Sequence, residues 1–228
     1  MGGLVVKFNI NQELCLRDPQ SSSYGQKLLS NAIMLFDEIG FEAFTFKKLA
    51  CRISSTETSI YRYFENKHAL LLYLVCWYWE RVNYLIDINL RNIDDPIKKL
   101  KIVIHQVVNA SNEGALTDYI NPKVLHHIVI NEGAKAYHIN NIDQENKQGF
   151  FLGYKDLVRL VSKIIREIDP DFPYPKILAS NMFEMANNQI YFAEHLPKLT
   201  DIRNTKTKYE QLEKAMFFMI QRMLGKSL

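Results

Sequence analysis

Residues 54–71 read SSTETSIYRYFENKHALL, in which small hydroxyl residues, a Tyr-Arg-Tyr triplet and an Asn-Lys pair precede a long apolar run. In a helix, successive side chains are rotated by about 100°, so Ile60 and Phe64 share one face. Thr58 and Arg62 then point the opposite way. The stretch therefore predicts a short helix that packs through one face and presents polar groups on the other.

The polar face has the chemistry of a helix that docks in a DNA groove. Small polar residues near the start of such a helix approach base edges, and longer donors farther along hold phosphates. The neighbouring helices begin near Thr45 and Asn66, and helix N-termini present free N–H groups to an anion. Lys47 and Lys67 add positive charge at these two points. The pattern predicts a phosphate clamp on both sides of the groove.

The remainder of the chain after residue 21 is helical in pattern. Apolar residues recur at helical spacing from Leu28 to Ile39, and Gly40 follows as a helix terminator. Later helices are expected at about 66–90, 95–111, 117–138, 147–168, 176–199 and 205–225. The fold class is all-α. The expected organisation is an arm at 1–21, a three-helix helix-turn-helix domain at 22–68 and a larger helical bundle at 69–228.

The first residues differ from this helical pattern. Val6, Phe8 and Ile10 alternate with polar residues, and Leu14 and Leu16 repeat the alternation. Period two predicts an extended or β N-terminal arm. We expect it to pack on the domain, because these apolar side chains would otherwise be exposed.

Composition excludes several classes of protein. The chain has 228 residues, 47% of them hydrophobic, and a net charge of +3. There is no secretory signal, and the longest apolar run, residues 69–79, is shorter than the roughly 20 residues that cross a bilayer, so no membrane partner is expected. Three cysteines without CxxC spacing favour a reducing cytoplasm.

Enzyme chemistry is not indicated either. No nucleophile elbow, P-loop or dinucleotide fingerprint is present, so we expect no catalytic residues and no cofactor. His126 and His127 are adjacent, and adjacent helical residues point about 100° apart, which argues against a shared metal ion.

A spaced pattern over about residues 26–75 resembles the N-terminal domain of TetR-family transcriptional regulators. The pattern is A–(two)–LF–(three)–GF–(two)–FT–(three)–LA, then a threonine-rich turn, then IYRYF–x–NK–x–ALL. The matching residues are Ala32, Leu35, Phe36, Gly40, Phe41, Phe44, Thr45, Leu49, Ala50, Ile60, Tyr61, Tyr63, Phe64, Lys67, Leu70 and Leu71.

This resemblance implies a role for each polar residue of the motif. It makes 45–53 the first helix of the helix-turn-helix and 56–64 the recognition helix. Phosphate contacts are expected at Thr45, Lys47, Tyr61, Tyr63 and Lys67, base-edge contacts at Thr56, Glu57, Thr58 and Ser59, and a further contact at Arg62.

Two departures from the family pattern affect the interface. Ser54 and Ser55 replace the usual glycine and aliphatic residue, which predicts a looser or differently shaped turn. Glu57 stands where the family often has Lys or Arg; its carboxylate repels phosphate but accepts from a cytosine amino group. Residues 1–68 hold eight basic and seven acidic residues, a net charge of +1. We therefore expect modest DNA affinity with a steep salt dependence.

The larger domain is expected to form the dimer and hold an effector. Its last helix carries an apolar stripe from Tyr209 to Met223, compatible with the four-helix dimer interface of the family. A two-fold dimer reads a palindromic operator in double-stranded DNA. Candidate ligand residues are His126, Phe150, Phe151, Tyr154, Met182, Phe183 and Tyr191.

The functional prediction is a homodimeric transcriptional repressor released by a small-molecule effector. The alternative is an all-α protein-interaction module or small-ligand-binding protein that does not bind DNA.

Overall fold

Eleven α-helices and no strand are found in the part of the chain that the computed structural model describes, residues 6–110, 112, 116–140 and 142–225. This confirms the all-α prediction. The helices are α1 Ser23–Ala43, α2 Phe46–Arg52, α3 Glu57–Tyr61, α4 Lys67–Leu90, α5 Pro96–Val108, α6 Pro122–Glu132, α7 Ala134–Tyr137, α8 Ile142–Lys147, α9 Leu152–Ile168, α10 Pro175–His195 and α11 Lys208–Met223.

The chain divides into two compact units. Unit 1 contains residues 1–81 and 111–152, and unit 2 contains residues 82–110 and 153–228. The three functional domains expected from the sequence, with boundaries after residues 21 and 68, stay a prediction.

Helix α1 contributes one buried side to the core of unit 1. Its buried side is aliphatic and aromatic, as its periodicity predicts, and Ser22 caps its first turn by accepting from the Gly25 N–H at 3.1 Å. Gly40 interrupts the helix with φ 71° and ψ 169°, a conformation that glycine adopts without strain. The break brings Phe44 back onto Phe36, with ring centroids 3.9 Å apart. Both rings are buried and start the core beneath the helix-turn-helix.

Helices α2 and α3 are joined by a closed turn. Ser54 has φ 54°, and its N–H donates to the Cys51 carbonyl at 3.2 Å. The Ser55 N–H donates to the Ala50 carbonyl at 2.9 Å. These two bonds form a Schellman motif, in which a left-handed residue ends the helix. The looser turn expected from Ser54 and Ser55 is therefore not observed, because Ser54 adopts the conformation that glycine supplies elsewhere.

The N-terminal arm packs on unit 1 without forming a strand in its described residues. It makes two 3-10 turns, Gln12–Leu14 and Pro19–Ser21, each begun by an Asx cap. Phe8, Ile10 and Leu14 are buried as expected, whereas Leu16 is 60% exposed. The arm approaches α1 closely: a Cβ on Gly25 would lie 2.2 Å from the Pro19 carbonyl oxygen.

Several later boundaries differ from those expected. The expected helix 117–138 begins only at Pro122, the residue after its Asn121 cap, and it is divided at Gly133. The expected helix 147–168 begins at Leu152, because Gly149 at φ 81° interrupts the chain after α8. Only the second interruption uses the conformational freedom of glycine, because Gly133 keeps helical angles of φ −57° and ψ −36°.

Unit 2 contains α5, α9, α10 and α11. The buried residues of α11 are Leu212, Met216 and Ile220, of which the first two belong to the expected stripe from Tyr209 to Met223. Phe218 and Met223 on the same helix, and Ile177 on α10, are exposed. The two helices therefore carry apolar side chains on more than the face that unit 2 buries.

The left-handed serine yields a stability prediction. Ser54→Gly should raise the free energy of unfolding by roughly 0.5–1 kcal/mol, because it removes the strain of a side chain at φ > 0. The greater conformational entropy of glycine in the unfolded chain offsets only part of this gain. Urea unfolding at an unchanged m value measures the difference. Ser54→Ala is the matched control and should not stabilise, since it keeps Cβ. A less stable glycine variant would contradict the assignment.

Candidate nucleic-acid interface

The face of α3 that points away from the core is polar, as predicted. Ile60 and Phe64 are 0% exposed, whereas Thr58 and Arg62 on the opposite side are exposed. Tyr61 is 47% exposed and packs its ring edge-on against Phe46, with centroids 5.0 Å apart. We name the exposed face of residues 56–62 the recognition ridge.

The start of the ridge is organised by its own cap. The Thr56 side chain accepts from the Ser59 N–H at 3.3 Å, and the two hydroxyls are hydrogen-bonded at 3.0 Å. Thr56 and Glu57 are exposed and Ser59 is half-buried. The cap therefore holds the small hydroxyl groups of Thr56 and Ser59 in a defined arrangement, and their contact with base edges stays a prediction.

Thr45 and Lys47 lie at the start of α2. The Thr45 hydroxyl accepts from the Lys48 N–H at 3.2 Å, which caps the helix, and the Thr45 side chain is exposed. Lys47 is exposed beside it. The structure places both residues at a helix N-terminus, where an anion is stabilised.

Tyr63 does not project from the margin of the ridge. It is 3% exposed, and its hydroxyl is hydrogen-bonded to the Ser22 hydroxyl at 2.9 Å. The chain makes a tight turn after Tyr61, in which the Tyr63 N–H donates to the Ile60 carbonyl at 2.8 Å. The expected outward projection of Tyr63 is thus wrong, and its contact with phosphate stays a prediction. The three-residue spacing from Ile60 is the sequence signal that indicates this inward direction.

Lys67 is also more engaged than expected. Its ammonium donates to the Phe41 carbonyl at 2.8 Å and to the Glu42 carbonyl at 3.2 Å, and it lies 4.4 Å from the centroid of the Phe41 ring. The side chain is half-buried. Lys67 therefore ties the start of α4 to the end of α1, and its contact with phosphate stays a prediction.

Most other cations of residues 6–68 have partners. Arg52 donates two hydrogen bonds to Glu38, at 2.5 and 2.8 Å, and these bonds hold the pKa of the Glu38 carboxyl below its usual value. Lys27 and Lys48 donate to backbone carbonyls. Lys47 and Arg62 make no ion pair with any described residue and are exposed. Positive potential at the ridge therefore depends on few groups.

The family model of bacterial regulatory proteins of the TetR family matches residues 28–74, which contain α2, α3 and most of α1. Residues 28–74 therefore match the N-terminal domain of the TetR family. The match covers the same stretch as the resemblance noted in the sequence.

Several solved structures share the fold along most of this chain. AibR in complex with isovaleryl coenzyme A and operator DNA is 14% identical, with a TM-score of 0.59 over 84% of this chain and 95% of AibR. FadR from Bacillus subtilis in complex with stearoyl-CoA is 15% identical, with a TM-score of 0.63 over 87% and 97%. The fatty acid degradation regulator FadR from Bacillus halodurans is 18% identical, with a TM-score of 0.59 over 90% and 100%.

At these identities the likeness extends to the fold alone. No curated protein sequence matches this chain. No helix within the described residues is long and apolar enough to span a bilayer.

The candidate effector residues are distributed over both units. In unit 1, the buried His126 ring stacks on Tyr78, with centroids 5.3 Å apart, while His127 bonds Asp37 instead. Phe150 accepts from the Cys76 thiol through its carbonyl at 3.0 Å, and Phe151 packs on Tyr137 at 6.3 Å.

In unit 2, the ring of Tyr154 packs edge-on against Phe183 at 5.7 Å, and its hydroxyl donates to Glu184 at 3.3 Å. Met182 and Phe183 are buried, and Tyr191 packs on His195 at 4.7 Å. Ligand contact by any of the seven residues stays a prediction.

Sequence reasoning missed two buried polar residues of unit 1. Arg81 on α4 is 1% exposed. Its signal is the Glu80-Arg81 pair at the end of the longest apolar run, where charge on a buried helix is unexpected. Gln20 is buried in the arm, donates to the Phe8 carbonyl at 2.8 Å and accepts from the Phe8 N–H at 3.3 Å. No local pattern identifies a glutamine with that role.

The Lys67 contacts generate a second prediction. Lys67→Met keeps the long stem but removes the charged donor, so we expect the free energy of unfolding to fall by about 1 kcal/mol as two carbonyls lose their partner. Lys47→Met is the matched control: an exposed lysine at the start of α2 should change stability by less than about 0.5 kcal/mol. Urea unfolding compares the two. Equal stability of both variants would show that the Lys67 bonds contribute nothing.

Proposed function

We propose that this TetR-family protein is a non-enzymatic, sequence-specific DNA-binding repressor that acts as a homodimer in the cytoplasm and is released by a small-molecule effector. The observation that carries the proposal is the recognition ridge: its polar face is exposed, while Ile60 and Phe64 beneath it are buried. A short helix held only through its inner face leaves its whole outer face for a partner.

The polar groups of the ridge fit the major groove of DNA. Thr56, Thr58 and Ser59 present hydroxyls that both donate and accept, which suits the mixed pattern of base edges. Glu57 selects for a base with an exocyclic amino group, such as cytosine. Arg62 and Lys47 supply exposed cations for phosphates on either side.

A dimer supplies the second ridge that a palindromic operator requires. One recognition helix contacts few base pairs, whereas a two-fold dimer reads two half-sites. The exposed Phe218, Met223 and Ile177 on α11 and α10 suit burial against a second copy. We propose this apolar face of unit 2 as the dimer interface.

The effector acts by shifting a population of conformations. A ligand that prefers a dimer whose ridges no longer match the groove spacing weakens operator binding, and the operator weakens ligand binding equally. AibR and FadR, which share the fold, form complexes with acyl-CoA compounds. We propose a small-molecule effector for this chain, with His126, Phe150, Phe151, Tyr154, Met182, Phe183 and Tyr191 as candidate contacts.

Substitution of the ridge tests DNA binding. Arg62→Ala should weaken binding to a duplex selected from random-sequence DNA by the wild-type protein about tenfold, and should reduce the slope of log affinity against log salt by about 1. Fluorescence anisotropy over a salt series measures both. Lys123→Ala removes an exposed lysine from α6 and is the control expected to change neither. Failure of the wild type to select any duplex would exclude the proposed function.

Charge placed on the apolar face of α11 tests the dimer. Phe218 is 56% exposed, so Phe218→Glu should leave the fold intact but convert the dimer to monomer at micromolar concentration, because a carboxylate would be buried without a partner. Analytical ultracentrifugation gives the mass, and circular dichroism checks helix content. Lys163→Glu, at an exposed position on α9 of the same unit, is the matched control. A dimer in both variants would place the interface elsewhere.

A further inference from the structure

The segment from Leu16 to Ser22 is fastened to the end of the recognition ridge. The Leu16 N–H donates to the Tyr63 carbonyl at 2.8 Å, and the Ser22 hydroxyl is bonded to the Tyr63 hydroxyl at 2.9 Å. The Tyr24 hydroxyl is bonded to Ser55 in the α2–α3 turn at 2.8 Å. The segment therefore contacts the residue that follows the ridge, and Tyr24 at the start of α1 contacts the turn that precedes the ridge.

Arg17 lies within this segment and is exposed. Its guanidinium carbon is 5.5 Å from the centroid of the Tyr63 ring, a cation–π contact. A guanidinium stacked on a ring keeps its N–H edge free for planar or tetrahedral anions. Tyr63 is adjacent to Arg62 in the chain, so the contact brings a second arginine to the end of the ridge.

The backbone on both sides of Arg17 is fixed. Leu16 is bonded to Tyr63, and the Asp18 carboxylate caps the next turn by accepting from the Gln20 N–H at 2.9 Å. A cation whose position is already restricted loses less conformational entropy when it binds.

Neighbouring charges leave Arg17 available. The Asp18 carboxylate is paired with Lys7 at 2.6 Å rather than with Arg17. Burial raises the pKa of the Cys15 thiol to about 11, so this thiol carries no negative charge at neutral pH. The arm therefore presents one cation, Arg17, whose described contact is an aromatic ring rather than a carboxylate.

We propose that Arg17 is an additional phosphate-binding residue, which extends the DNA interface from the recognition ridge onto the N-terminal arm. This inference rests on the proposed function. Tyr63, from which a phosphate contact was expected, is instead the buried platform on which that contact is held. The partner is the phosphodiester backbone, so Arg17 strengthens binding to every sequence alike and does not read bases.

The experiment is a salt titration of DNA binding by the full-length chain. Fluorescence anisotropy is recorded between about 50 and 200 mM NaCl on the selected duplex and on a scrambled duplex of the same composition. The variants are Arg17→Ala and Arg17→Lys, with Lys7→Ala as the matched control from the same arm. Urea unfolding confirms that each variant is folded.

One lost phosphate contact reduces the slope of log affinity against log salt by about 1 on both duplexes. We expect this reduction for Arg17→Ala, together with an affinity loss of about tenfold at low salt. Arg17→Lys should restore the slope, because it keeps the charge. Lys7→Ala should keep the wild-type slope, because Lys7 is already neutralised by Asp18.

Four results would overturn the proposal. If Arg17→Ala lowers affinity with an unchanged slope, the arm acts only by supporting the ridge. If Lys7→Ala reduces the slope as much as Arg17→Ala does, the slope reflects the total positive charge of the arm rather than a contact between Arg17 and phosphate. If the slope falls in Arg62→Ala but not in Arg17→Ala, this inference is rejected and the proposed function stands. If the wild-type protein binds neither duplex, both the inference and the proposed function are rejected.

Discussion

Burial of Ile60 and Phe64 beneath α3 is the constraint on which the candidate interface depends. Each fully buried side chain of this kind contributes roughly 1.5–3 kcal/mol relative to exposure, which is far more than the exposed residues of a five-residue helix contribute. The burial of these two side chains therefore fixes the rotation of α3 about its axis. The direction of Thr58 and Arg62 follows from that rotation, so the polar face is a consequence of the core.

Backbone hydrogen bonds in the segments next to α3 add to these apolar contacts. The Schellman turn at Ser54 sets the path from α2, and the Gly40 break sets the path from α1. At that break the Phe41 N–H, freed by the interruption, donates to Glu132 of α6 at 3.0 Å. Within unit 1, polar side chains thus satisfy the backbone groups that the sharp bends expose.

Local bonding also explains how a region of net charge +1 presents cations to a partner. Lys7 and Arg52 are neutralised by carboxylates, and Lys27 and Lys48 are occupied by carbonyls. Arg17 rests on an aromatic ring, which leaves its charge uncompensated. Position, rather than total charge, distinguishes the cations that suit phosphate, since screening limits each charge to about 10 Å at moderate salt.

Periodicity and capping residues were sufficient to predict the helices of residues 22–90, because both depend on contacts within about four residues along the chain. They also identified Thr58, Tyr61 and Arg62 as outward groups, since a helix built on Ile60 and Phe64 has only one other side. Three contacts could not be obtained in this way: the bond of the Tyr63 hydroxyl to Ser22, the carbonyl contacts of Lys67 and the placement of Arg17. Each depends on a partner 26 to 46 residues distant in the chain: Ser22 for Tyr63, Phe41 for Lys67, and Tyr63 for Arg17. Such pairings arise only when α1, the arm and α3 pack together, because packing, and not local preference, brings these groups within bonding distance.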